Sequence, residues 1–392
     1  MKKSLFAMAA VTAFAGAAQA QSSVTVYGLL DGGVAVTNID YNTVQKQNQT
    51  AIGGFQSGNG TGVLSGSRLG FRGVEDLGGG NRAGFVLETA VNYNNATAAT
   101  TAATMTDSAA AANGNAMFAN VRQAYMSLGN KGFGELRIGT QNSLVKDTTE
   151  AFDPQGGPNL TGTGSLYQQN QVTRYSQAAT YQSPTMSGFS VRAQTTLDGT
   201  PSNNGGATAS AATPTANRSS SASIDFTQGP IKVGGVYERR TTWYSAAGTV
   251  NSMVALSPNA TTAATIPSIN YYALGGSYDL KVVKPTVLYY NQQVNGANSS
   301  SSGATSGYLL GVTAPVTAAL SLTAAYVDGK VTNNAIAGGY DTNGVQIVGN
   351  YALSKRTGAY VAYGQTDWKS NVTATTASVT VQQYAIGMRH TF

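Results

Sequence analysis

Side chains able to make or break covalent bonds are scarce in this 392-residue chain. It carries one histidine, His390, and no cysteine, which excludes a disulfide framework, a thiolate metal site and cysteine catalysis. A metal site needs several ligands, and a serine hydrolase needs a histidine facing its nucleophile. The alternation of the last strand instead groups His390 with Ile386, Met388 and Phe392 on one face, where interfacial packing is its expected role. The glycine-rich stretch Glu75 to Gly80 has no helix after it, so it reads as a tight turn and not as a phosphate cradle. No catalytic residue, metal ligand or cofactor is expected. What the charged residues can do is electrostatic. In Gly66-Ser-Arg-Leu-Gly-Phe-Arg-Gly73, Arg68 and Arg72 oppose Leu69 and Phe71, so one face of an extended segment carries guanidiniums that stay ionised at neutral pH and the other is apolar.

The elements that position such residues are strands. In Val24-Thr-Val-Tyr-Gly-Leu-Leu-Asp31, Val24, Val26, Gly28 and Leu30 share one face, with Thr25, Tyr27, Leu29 and Asp31 on the other. Alternating runs recur sixteen times, starting near Val24, Val63, Asn81, Ala116, Phe133, Gln171, Ser187, Ser219, Ile231, Ser268, Val282, Ala304, Ala319, Asn343, Arg356 and Val379. Their connections alternate between short turns, such as Gly129-Asn-Lys-Gly132, Ser183-Pro-Thr-Met186 and Leu353-Ser-Lys-Arg356, and long polar stretches, such as Asn94 to Asn115 and Pro201 to Arg218. Short turns on one side and long loops on the other, with an even number of strands, distinguish a closed membrane barrel from a soluble sandwich. Sheet edges cannot be left open in lipid, so residues 24 to 36 are expected to lie against residues 379 to 392.

Composition agrees. Only 10% of the residues are charged, against roughly 25% in soluble domains. Glycine reaches 47 and tyrosine 21, which suits a wall with one face in lipid and aromatic rings at its borders. Residues 1–20 have the parts of an export signal: Lys2 and Lys3, an apolar stretch from Leu5 to Ala18, and the small-x-small site Ala18-Gln19-Ala20. Cleavage there leaves residues 21–392 as one barrel domain. It also takes the basic count from 23 to 21 against 17 acids, too mild a balance for a nucleic-acid partner.

Five segments then carry a family resemblance: Ser23-Val-Thr-Val-Tyr-Gly28, Ser67-Arg-Leu-Gly-Phe-Arg-Gly-Val-Glu-Asp-Leu-Gly-Gly-Gly80, Arg122-Gln-Ala-Tyr125, Tyr351-Ala-Leu-Ser-Lys-Arg-Thr357 and Gly387-Met-Arg-His-Thr-Phe392. In this order and at these places the chain resembles the general porins of Gram-negative bacteria, in particular those of Burkholderia-type proteobacteria. The resemblance spans essentially the whole mature chain. It implies an all-β fold, a 16-stranded antiparallel transmembrane barrel whose third loop, residues 142 to 170, folds inward. It also implies a homotrimer in the outer membrane, among lipid and lipopolysaccharide, with a pore in each subunit. Phe392 resembles the terminal aromatic by which barrel-assembly machinery recognises its clients.

Matched motif by motif, the resemblance places Arg68, Arg122 and Arg174 on a basic wall of the pore constriction. Glu150 matches the family's upstream loop acid by spacing. Asp153 comes from Asp153-Pro-Gln-Gly-Gly157, which departs from the family pattern in that the acid precedes the proline and Gln155 replaces an aromatic; Asp147 is also within reach of the opening. A lysine of enterobacterial relatives is replaced by Leu29. Acids facing guanidiniums across a wet lumen create a transverse field that orients polar solutes. The expected function is passive diffusion of small hydrophilic solutes and ions, with a weak anion preference from the three arginines and Lys146. A substrate-selective channel is the alternative and would need an aromatic slide or a dedicated polar site. A barrel enzyme would need its histidine mid-wall rather than at residue 390.

Overall fold

The computed structural model describes residues 23–41, 45–52, 62–91, 121–157, 160–162, 172–197, 218–245, 264–295, 302–333, 336–371 and 378–392. Seventeen strands form one antiparallel sheet: β1 (Ser23–Tyr41), β2 (Gln45–Ile52), β3 (Arg68–Gly78), β4 (Asn81–Ala90), β5 (Val121–Asn130), β6 (Gly134–Asn142), β7 (Arg174–Gln182), β8 (Phe189–Thr196), β9 (Arg218–Gln228), β10 (Ile231–Ser245), β11 (Ala264–Tyr278), β12 (Lys284–Asn295), β13 (Gly303–Pro315), β14 (Leu320–Asn333), β15 (Ile336–Ala352), β16 (Thr357–Ser370) and β17 (Ser378–Thr391). From β3 on, each strand pairs with the next, and β17 returns to β1. β2 and β3 share one place in the ring: β2 pairs with Val34–Tyr41 of β1, and β3 pairs with Ser23–Leu29. The wall is therefore a closed barrel of sixteen strand positions.

Alternation decides which side chains face out. Large apolar residues on one face are well exposed, such as Met126 at 74%, Ile386 at 63% and Leu274 at 60%. So continuous an exposed apolar surface would be untenable in water and is what a lipid-facing wall requires. The opposite face carries Thr180, Glu238, Gln292, Thr342, Gln346 and Gln383, all buried, together with the charged groups described below.

The structure corrects the sequence reading in three places. The second wall strand does not begin near Val63. It has an upper piece, Gln45–Ile52, and rejoins the wall only at Arg68, because the run Gln-Lys-Gln-Asn-Gln-Thr has no apolar alternation to reveal a strand. The closing ladder runs from Leu29↔Thr391 to Tyr41↔Val379, five residues further along β1 than expected. β15 starts at Ile336 rather than near Asn343, where Gly338 and Gly339 obscure the pattern. Residues 1–20 and the long stretch 94–115, like nearly all of 201–218, lie outside the described residues.

Between β6 and β7 the chain forms a helix, α1 (Leu144–Ala151), which alternation alone did not indicate. Ser143 caps it, its hydroxyl accepting from the Lys146 backbone N–H at 3.1 Å. Beyond it, Phe152 is completely buried against the inner faces of β10 and β11, where a Cβ on Gly275 would collide with its ring. Pro154 fills the space over Gly311 of β13. Further on, the Thr161 backbone N–H donates to Gln383 Oε1 at 3.0 Å and the Gly162 N–H to Thr366 Oγ1 at 2.8 Å. The described residues 144–157 and 160–162 thus touch the inner wall from β10 round to β17.

Candidate functional site

The charged groups converge near the start of this loop. Arg68 stands at the first position of β3, and its Nη1 donates to the Gly66 carbonyl at 3.3 Å. On β4, Glu88 is 8% exposed. Its Oε1 accepts from Arg122 Nε at 2.6 Å and its Oε2 from the Tyr27 hydroxyl at 3.1 Å. Arg174 opens β7 and is 5% exposed. Its Nε has no hydrogen-bond partner among the described residues. From α1, Lys146 forms an ion pair with Glu150 one turn later. Arg68 and Arg174 interact electrostatically with each other, with Arg122, with Glu88 and with Glu150, and Lys146 joins the same field through Glu150, Arg174 and Arg122.

Local backbone irregularity makes this convergence possible. Along β5, Met126 and Leu128 face outward, so strict alternation would send Arg122 to the lipid side. Between Glu88↔Gln123 and Thr89↔Val121 the register shifts by one residue. That bulge turns Arg122 inward to Glu88. A second shift lies between Gly139 and Gln141, opposite Gln177 with φ 53°, and it sits beside the residues that carry Arg174.

Four cations, Arg68, Arg122, Arg174 and Lys146, therefore share one field with two carboxylates, Glu88 and Glu150. The other two loop acids lie elsewhere. Asp147 accepts from Arg192 Nη1 of β8 at 2.9 Å and from Asn142 Nδ2 at 3.0 Å. The same Arg192 reaches Asp225 of β9 at 3.2 Å. Asp153 is buried and closes its own turn, its Oδ1 accepting from the Gln155 backbone N–H at 2.8 Å. Sequence reasoning missed Glu88, Tyr27 and Arg192. Glu88 alternates with the outward Leu87, and Arg192 with the outward Val191, so alternation carried a signal for both.

Lys146 belongs to the loop rather than to the wall, and burial pushes its ammonium below the usual lysine range. Glu150 opposes that shift, while Arg174 and Arg122 add to it. Its proton is thus lost at a lower pH than that of an ordinary lysine. The net positive charge of the belt is expected to fall as the pH rises into the alkaline range. Reversal potentials recorded from neutral pH upward should drift toward cations, and Lys146→Met should flatten the drift.

Three comparisons bear on the whole chain. The family model described as Gram-negative porin matches residues 7–371. An outer membrane porin protein of Bordetella pertussis is 30% identical over 404 aligned residues, covering 93% of this chain and 94% of that one. Among solved structures, the anion-selective porin from Comamonas acidovorans superposes with a TM-score of 0.66 at 19% identity, over 95% of this chain and 100% of that one. OmpT of Vibrio cholerae in its trimer form gives 0.61 at 15% identity, over 95% and 99%. The closed barrel agrees with the folds of these solved structures, and the chain belongs to the Gram-negative porin family of outer-membrane channels.

Proposed function

We propose that this porin is a passive, trimeric diffusion pore for small hydrophilic solutes, weakly selective for anions and narrowed where Arg68, Arg122 and Arg174 of the wall meet Lys146 and Glu150 of the loop. The observation that carries the reading is the excess of cations over carboxylates in one coupled belt. Fixed guanidiniums lining a water-filled opening raise the local concentration of anions and lower that of cations without binding either tightly. Asp147 and Asp153 shape the loop: one ties it to Arg192, the other closes its turn. The solved relative described as anion-selective and the one solved as a trimer support the two finer parts of this reading. No cofactor or energy source enters it, since the concentration gradient drives transport.

Single-channel recording in a planar bilayer under a salt gradient tests it. Openings in threes with an ohmic current and an anion-favouring reversal potential are expected. A cation-favouring potential would remove the assigned selectivity, and lone openings would remove the trimer.

Two further parts of the reading concern delivery and assembly. Cleavage after Ala20 predicts a mature protein beginning at Gln21, which intact-mass measurement of outer-membrane material will check. Phe392 exchanges backbone hydrogen bonds with Gly28, N–H to carbonyl at 3.1 Å and 3.2 Å, so it both completes the seam and supplies the terminal aromatic. Deleting it is expected to cut the yield of heat-resistant assembled protein several-fold, with unassembled chain in the periplasm; an unchanged yield would contradict that role.

A further inference from the structure

Beside the arginine belt the inner wall holds a niche of about 360 Å³ between β1, β3, β4 and β5. Arg68, Arg72, Tyr27, Val86, Gln123 and Tyr125 are among the residues that line it. Its size falls within the range of small-molecule sites, and its lining sets two tyrosines and the apolar Leu29 and Val86 among the charged Arg68, Arg72 and Glu88.

Three details suggest what would occupy it. Neither Arg68 nor Arg72 has a carboxylate within ion-pair distance among the described residues, whereas the niche's acid, Glu88, already accepts from Arg122 and Tyr27. The niche thus offers guanidinium donors without a competing free carboxylate. Tyr27 lies so close over Gly70, midway between the two arginines on β3, that a Cβ there would strike its ring. The missing side chain lets a flat aromatic surface form part of the wall. Arg72 stands over the Tyr27 ring at 5.3 Å from its centroid, and Arg137 stands over Tyr125 at 5.6 Å. Planar cations resting on aromatic faces make a surface that accepts a flat, electron-rich ring bearing an anionic group.

We propose that this niche is a weak binding site for small aromatic carboxylates, with the carboxylate on Arg68 or Arg72 and the ring against Tyr27 and Val86. The assignment rests on the reading of the barrel as an open, anion-admitting pore. It adds a solute class that the charged belt alone does not distinguish, because the belt offers charge and no apolar surface. A site of this kind slows its ligand in the pore and blocks chloride while occupied.

The test uses the full-length trimer in a planar bilayer, with benzoate and acetate compared at equal concentrations from the periplasmic side. Benzoate should reduce chloride current saturably, half-saturating at about a tenfold lower concentration than acetate, the factor expected for burying one ring against apolar surface. Arg72→Gln should raise the half-saturation of both anions, whereas Tyr27→Leu should raise that of benzoate several-fold and leave that of acetate much less changed. Calorimetric titration of benzoate into the detergent-solubilised trimer provides a readout independent of current. Equal block by the two anions, or benzoate block unaffected in both variants, overturns the proposal. The reversal potential in chloride alone, recorded first, reports separately on the anion preference, so failure of that reading is distinguishable from failure of the site.

Discussion

Replacing Arg68 and Arg174 together by glutamine is expected to abolish the anion preference and bring the permeability ratio of chloride to potassium close to unity. Two cations, Arg122 and Lys146, then face two carboxylates, Glu88 and Glu150. Arg68 and Arg174 are the right pair to remove because neither forms an ion pair among the described residues, so their loss leaves no stranded carboxylate. Arg122→Gln would strip Glu88 of its 2.6 Å partner and mix a selectivity change with the penalty of a buried unpaired charge. The size of the effect follows from Coulomb's law: one unit charge about 4 Å from a permeating ion is worth about 1 kcal/mol in water, or roughly fivefold in relative permeability, and the pair about tenfold once screening is included. The measurement is the reversal potential in dilute salt, where screening is least, with Glu150→Gln as the opposite control because it should strengthen the preference. A double variant as anion-selective as the parent would show that selectivity is set elsewhere along the lumen.

Phe152→Ala should leave the barrel intact and unmoor its inner loop. Phe152 is fully buried, seated over Gly234 and Gly275, with Lys232 Nζ 5.4 Å above its ring. Truncating such a phenylalanine typically costs about 3–5 kcal/mol. The loss falls on α1 and the turn after it, since the strand ladders make no use of that ring. Thermal unfolding of the trimer should therefore change little, while the open-channel current becomes noisier and voltage-induced closure begins at lower potentials. Gly275→Val should produce the same phenotype from the other side by displacing the ring. Quiet channels in both variants would mean that the contacts of residues 160–162 with β16 and β17 hold the loop unaided.

The barrel was legible in the sequence because a wall between lipid and water imposes period two on nearly every strand, and the turns punctuate it. Where that constraint lapses, the reading lapses too. β2 is polar over its first six residues, and β15 begins in a glycine-rich segment, so neither start carries an apolar signal. The charged belt was only half legible. Arg68 follows from its opposition to Leu69 and Phe71, but Arg122 faces inward through a bulge whose presence no alternation reveals, and only the family motif pointed to it. Loop acids are harder still. The family resemblance led to three, only Glu150 by spacing, and their directions depend on a cap at Ser143, a turn at Pro154 and a partner on β8 that no local pattern encodes.

The seam between β1 and β17 has a consequence for how the molecule is made. Leu29 pairs with Thr391, nearly the full length of the chain away, so the contact that closes the ring has almost the largest sequence separation available. Contacts of that kind form slowly, because their loop-closure entropy must be met before they return any stabilisation. Until β17 has been made and has found β1, any sheet already built keeps two unpaired edges and a bare apolar face. The last strand must therefore be made before the ring can close, and the open sheet is prone to aggregation until then.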